Sequence, residues 1–308
     1  MNSPSLGKTL ALALLAAAAA APGWHCAWAK AEAASLELPS SIPQGGLLFG
    51  RVTPGSRLIL HHAASPGTAN DPIGTQVRVS ADGRFVIGAG RDESGPLELS
   101  IEFPDHENRL VSVPVTPRTW QLERIEGVPE ATVNPPPEIA ARIEREQAEV
   151  AQARLRDDAR EDYAGPFQWP VTGRVSGVYG SQRIYNGTPK SPHSGLDVAV
   201  PKGTPVHAPS GGIITFAKPD LYLTGGTVLI DHGHGLSSNF LHLSRLDVRV
   251  GDRVETGQVI GLAGATGRAT GPHMHWGMNW FTVRVDPQLL VDAARNPAGP
   301  EAGAGPSR

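Results

Sequence analysis

Apolar and polar residues alternate with period two along much of this chain, in short runs that Gly or Pro interrupts every few residues. The clearest are "GRVTPGSRLIL" (50–60), "TQVRVSADGRFVIGAG" (75–90), "PLELSIEF" (96–103) and "NRLVSVPV" (108–115). Period two sends successive side chains to opposite faces of a strand. With 36 Gly and 28 Pro there is little room for long helices, so the chain is expected to be mainly β. Residues 36–128 read as a β-sandwich-like domain, with Asp82-Gly83 between two runs as a hairpin signal. From Phe167 onward the same texture predicts a barrel-like antiparallel sheet. Within it, "VPKGTPVHAPSGGIITFA" (200–217) and "VRVGDRVETGQVIGLAG" (248–264) form a weak internal echo. Two domains also suit 308 residues.

One stretch breaks the pattern. Residues 133–162 turn to Ala, Glu and Arg: Pro137 can open a helix, Glu138 suits its first turn, and Glu138 with Arg142 makes an i,i+4 pair. The apolar stripe, mainly Ile139, Ile143, Val150 and Leu155, is too thin for a core helix. A solvated spacer that docks on one domain is expected. The tail 294–308 lacks the apolar residues to pack and is expected to be disordered.

The amino terminus reads as an export signal. Lys8 precedes the apolar run "LALALLAAAAAA" (10–21), and "AWA" (27–29) offers a small-x-small cleavage site after Ala29. The run is short of the roughly 20 residues that span a bilayer, so no stable membrane anchor is expected after cleavage. Cys26, the single cysteine, would leave with residues 1–29, and a metal in the mature chain would need nitrogen and oxygen donors. A net charge of −3 gives no electrostatic footprint for nucleic acid.

Seven of the eleven histidines fall between 193 and 275, in "HSGLD" (193–197), "FLHLS" (240–244), "HMH" (273–275) and neighbouring segments. In a strand, His273 and His275 face one side about 6.6 Å apart, with Met274 facing the other. His193 and Asp197 would lie about 13 Å apart if fully extended, too far for donors that must each sit about 2.0–2.2 Å from one zinc ion. That segment must bend, and Ser194-Gly195 offers the flexible backbone. A catalytic zinc site takes three protein ligands and keeps a fourth position open. His193, Asp197 and one of the "HMH" pair meet that count, leaving the other histidine and His242 for acid–base work. Spacing does not say which of His273 and His275 is the ligand. His61, His62, His106 and His207 read as structural, and His232 and His234 as turn residues of "DHGHG". Arg183, Tyr185 and Asn186 precede the first block and are candidates for a substrate groove.

The blocks "HSGLDVAVPKGTPVHAPSGG", "VLIDHGHGLSSNFLHLS" and "GQVIGLAGATGRATGPHMHWGM" resemble, in order, the three signatures of the lysostaphin-like (LytM-type) zinc endopeptidases. The resemblance covers about residues 167–290 and defines an expected peptidase domain at 166–293. It implies a periplasmic enzyme that cuts peptide cross-links of bacterial peptidoglycan, with zinc on His193, Asp197 and His275. It further implies His273 and His242 as catalytic residues, one handling the proton of the attacking water and the other stabilising the oxyanion. Two departures stand out: Phe240 where the family often has Tyr, and Trp276-Gly277 where it often has Phe-Glu. A non-catalytic activator of another wall hydrolase and a zinc amidase are the alternatives.

Overall fold

The computed structural model describes residues 34–61, 74–126 and 136–291. The expected export signal, Cys26, His62 and the tail 294–308 lie outside the described residues. No helix among the described residues is long and apolar enough to cross a membrane.

The largest sheet has eight strands: β1 (Arg174–Gly177), β2 (Gly195–Ala199), β3 (Gly212–Leu221), β4 (Gly225–Asp231), β5 (Leu236–Leu243), β6 (Arg253–Val254), β7 (His273–Trp280) and β8 (Val283–Val285). They run in the order β1-β2-β7-β5-β4-β3-β6, and β8 pairs with the end of β7. Every pairing in this sheet is antiparallel. The mainly β, antiparallel expectation therefore holds, while the sheet stays open rather than closing into a barrel.

Alternation and register assign two faces. Val198, Val228, Ile230, Phe240, Met274, Trp276 and Met278 are fully buried on one of them and form its core. The partners Asp197↔His275, Leu229↔Asn239, Asp231↔Ser237 and Ser237↔Asn279 then share the other face. The two segments of the internal echo meet in space, since Pro205–His207 pairs with Val259–Leu262 in a smaller antiparallel sheet.

Between residues 36 and 113 two sheets form, of three strands (36–37, 47–52, 84–88) and of four (57–61, 75–77, 97–102, 109–113). Leu48, Val52, Leu58, Leu60, Phe85, Ile87, Leu99 and Ile101 are buried there, as inward positions of a sandwich must be. The hairpin expected at Asp82-Gly83 is not formed. The chain does turn there, but the strands on either side join different sheets. Gly83 (φ +92°) presses on the neighbouring strand so closely that a Cβ would lie 1.9 Å from the Val52 carbonyl oxygen, which ties the turn to Val52.

The described residues from Ala34 onward form one compact unit, and a continuous apolar core runs from the first sheets into the largest one. At the junction a Cβ on Gly88 would lie 2.8 Å from Trp280 Cβ, and Arg118 Nη2 donates to Asp286 Oδ2 at 2.9 Å.

The helix α1 (Pro137–Ala153) begins at Pro137 as the sequence indicates and buries none of its own residues. Val150 and Ala153 pack on Phe216, Leu221 and Leu229 of the largest sheet. The expected Glu138–Arg142 pair gives way to Arg142–Glu146 at 2.6 Å. Docking accounts for this: Arg142 Nη2 also donates to the Asp220 carbonyl, and Glu146 accepts from the Tyr222 amide.

Candidate active site and metal centre

β2 and β7 bring Asp197 opposite His275, Cα to Cα. His193 stands just before β2 and is fixed by backbone hydrogen bonds to Gly180 and Ser181. Gly195 is not a flexible bend, because it already belongs to β2 and pairs with Gly277. Gly195 serves instead to leave space: a Cβ there would sit 2.4 Å from the Trp276 carbonyl and 2.8 Å from His275 Nε2.

Three donor atoms converge. His275 Nδ1 lies 2.8 Å from Asp197 Oδ1 and 3.1 Å from His193 Nε2, and His193 Nε2 lies 3.2 Å from Asp197 Oδ1. Donors about 2.1 Å from one tetrahedral ion stand about 3.4 Å apart, close to this triangle. The proton inventory fits a cation as well. His193 Nδ1 donates to the Val178 carbonyl at 3.0 Å, which leaves a lone pair on its Nε2. His275 Nε2 is buried without a hydrogen-bond partner, so no protein acceptor fixes the proton on that nitrogen. With the His193 proton on Nδ1 and the His275 proton on Nε2, two imidazole lone pairs and a carboxylate would meet on one point, a donor set that suits a divalent metal. No other group of three or more such residues among those described meets the same test.

The electrostatics agree. Burial opposes charge on Asp197, yet hydrogen bonds from His193 and His275 hold its carboxyl far below the usual range. Burial also opposes charge on His193, and Asp197 outweighs it, so that its pKa rises. His275 is pushed down to about 4, first by burial.

His273 and His242 complete the constellation. His273 Nδ1 donates to the Gly271 carbonyl and His242 Nδ1 to the Thr266 carbonyl, each at 2.8 Å. Each ring so held keeps Nε2 free. Their centroids are 4.8 Å apart, and His273 Nε2 is 3.7 Å from Asp197 Oδ1. Burial, with His273 alongside, lowers the pKa of His242, which favours its neutral form.

The remaining candidates fall elsewhere. His232 is a core residue, bonded through Nδ1 to the Gly211 carbonyl and through Nε2 to Ser238 Oγ. His234 follows it in a turn with φ +50° and contacts Tyr163. His207 bonds the Pro170 carbonyl, and His61 bonds Ser100 Oγ. Arg183 pairs with Glu123 on the strand Gln182–Tyr185 and lies close enough to influence His193. Phe240 faces the core, away from the cluster, so the missing tyrosine hydroxyl takes nothing from this site. Gly277 lies against Asn239, whose Oδ1 would be 2.7 Å from a Cβ there. Sequence reasoning missed Arg156 and Arg160, which bind the buried Asp231, and the carbonyls of Val178, Gly271 and Thr266 that orient the imidazoles.

Comparisons with known proteins bear on the same residues. The model of "Peptidase family M23" matches residues 191–287. A crystal structure from Pseudomonas aeruginosa assigned to peptidase M23 is 31% identical, covering 80% of this chain and 93% of its own, with a TM-score of 0.57. Peptidoglycan DD-endopeptidase ShyA of Vibrio cholerae is 40% identical over 112 residues, 35% of this chain and 26% of its own. Cell division protein DipM of Caulobacter vibrioides is 29% identical over 182 residues, 59% of this chain and 28% of its own. The chain thus matches little more than a quarter of the length of these two curated relatives.

Proposed function

The chain belongs to peptidase family M23, and from that premise we propose that it is an exported, zinc-dependent endopeptidase that hydrolyses peptide cross-links of bacterial peptidoglycan. The observation that carries this reading is the convergence of His193 Nε2, Asp197 Oδ1 and His275 Nδ1 beside two further imidazoles. The substrate class follows from relatives named for peptidoglycan endopeptidase activity. Export to the periplasm rests on the signal pattern of residues 1–29.

In this reading His193, Asp197 and His275 hold the metal. Zinc bound there supplies Lewis acidity, which polarises an amide carbonyl and makes water easier to deprotonate. His273, its Nδ1 committed to Gly271, offers Nε2 to take the proton of the attacking water. His242, beside His273 and His275, would face the carbonyl oxygen of the substrate. With Nδ1 committed to Thr266, it donates to the developing oxyanion only once Nε2 has taken a proton from water, a transfer that the growing negative charge favours. The β domain and the spacer govern access to the wall rather than bond breaking, since no comparable cluster occurs there among the described residues.

Digestion of purified peptidoglycan with the zinc-loaded protein, followed by product masses, tests the proposal. Split cross-links are expected. Whole stems released from sugar would make it an amidase, and absence of products with stimulation of a second hydrolase would make it an activating module.

A further inference from the structure

Strand register places Asp197 and His275, but His193 stands outside the sheet. Its ring is aimed by the Val178 carbonyl, to which Ser181 Oγ also donates at 2.9 Å, and its backbone rests on Gly180 and Ser181. The turn 178–181 therefore decides where the third donor points. A carbonyl that orients a metal-bound imidazole works only if its own backbone is fixed, because such sites tolerate displacements of only about 0.5 Å.

That turn leans on residues far away in sequence. Tyr179 is buried, donates its hydroxyl to the Arg284 carbonyl of β8 at 2.8 Å, and meets Trp120 edge-on with ring centres 5.8 Å apart. Gly180 uses both of its main-chain groups: its N–H donates to the His193 carbonyl at 2.9 Å, and its carbonyl accepts from Arg91 Nε at 2.8 Å. The Arg91 side chain is 14% exposed, so water competes little for that bond. Trp120 closes the remaining side, since Gly180 has φ +78° and a Cβ there would run into the indole. The guanidinium carbons of Arg91 and Arg118 lie 5.1 and 4.7 Å from the Trp120 ring centre, within cation–π reach, and Arg118 is itself held by Asp286 and the Gln44 carbonyl. Directly after Trp120, the Gln121 carbonyl accepts from the Gln182 amide, and Leu122–Ile125 pairs in parallel with Gln182–Tyr185. Residues of the β domain thus grip the turn at Gly180 and again from Gln182.

We propose that Arg91 and Trp120 are positioning residues for the metal centre: they clamp Gly180, and through it fix the Val178 carbonyl and His193 where the ion is bound. The proposal rests on the metal ligands of the endopeptidase reading. It gives the β domain a part in the metal centre, although that domain lends no ligand.

The test measures zinc affinity of the full chain by competition with a chelating dye, and the visible spectrum of the cobalt(II)-substituted protein, at a temperature where every variant is folded. Arg91→Met removes the donor to Gly180 and should weaken zinc binding by about tenfold or more, the lower end of what partners that orient a ligand are worth. Trp120→Leu should do the same, and both should shift the cobalt bands. Arg91→Lys keeps a cation and a donor and should restore part of the affinity. Leu99→Ala is the stability control: it opens a cavity in the four-stranded sheet and should lower Tm while zinc affinity and spectrum stay those of the parent. Parental affinity and spectrum in both Arg91→Met and Trp120→Leu overturn the proposal, whatever their Tm, because the clamp is then packing alone. So does an equal loss of affinity in Leu99→Ala, which would trace the effect to general loosening. A parent that binds zinc but cleaves no wall counts against the endopeptidase reading, while the affinities still decide this proposal.

Discussion

His275 Nδ1 lies 2.8 Å from Asp197 Oδ1, and the strands carrying the two residues pair them Cα to Cα. A ligand pair set by sheet register needs no loop to assemble it, so the site is largely formed before metal arrives. We expect about one zinc per chain. His193→Ala and Asp197→Ala should each leave two protein donors and lose most of the metal. Elemental analysis of folded protein checks this, and unchanged zinc in either variant would rule out the cluster as the site.

The same pairing makes Gly195 a demanding position. A Cβ at 2.4 Å from the Trp276 carbonyl meets backbone, which cannot swing aside. Gly195→Ala should push β2 and β7 apart, destabilise the fold by about 1–3 kcal/mol or more and weaken zinc binding. Tm and zinc affinity measured together are the check; a variant with parental values of both would show that the strands tolerate the methyl.

Much of this was legible in the sequence, and the unread parts share a cause. Alternation exposed strands such as Leu97–Glu102, where every second residue is buried, and the i,i+2 spacing put His273 and His275 on one side because successive side chains of a strand face opposite ways. Partner choice is a long-range property, so the strands flanking Asp82-Gly83 could look like a hairpin yet join different sheets. The orienting groups on His193, His242 and His273 are main-chain carbonyls, which every residue possesses.

Arg118 and Asp286 join the β domain to the peptidase sheet. The Asp286 side chain is 2% exposed and accepts from Arg118 and from the Gln288 amide. Arg118→Ala leaves a buried carboxylate short of its counter-ion and should cost about 3 kcal/mol. Adding Asp286→Asn should recover part of the loss, because no charge is then stranded. Urea unfolding of both variants measures it, and strictly additive losses would argue against coupling.

Acid should destabilise the metal-free protein in a defined window. His232 and His275 are buried, and burial pushes the pKa of each down to about 4, against about 6.5 in an unfolded chain. Above about pH 7 both rings are neutral in either state and contribute nothing to the slope. Between about 6.5 and 4 the unfolded chain takes up protons that the folded chain refuses, so stability falls as pH falls, by on the order of 3 kcal/mol per ring. His232→Gln should flatten the slope of urea midpoint against pH across that window. An unchanged slope would show that His232 already titrates normally in the folded protein.

The division of labour between the two histidines of "HMH" can be read by measuring metal and turnover on the same preparations. His275 contributes Nδ1 to the triangle with Asp197 and His193, whereas His273 reaches Asp197 only at 3.7 Å and is held by Gly271. His275→Ala should therefore lose both zinc and activity. His273→Ala should keep most of its zinc and lose turnover by about 10²- to 10⁴-fold, the usual contribution of a positioned acid or base. His242→Ala should keep zinc too, with a loss of about 10²-fold or more if its imidazole steadies the oxyanion. Reversal, with His273→Ala stripping the metal and His275→Ala retaining it, would exchange the two roles. Retention of both metal and activity in all three variants would place the reaction somewhere other than this cluster.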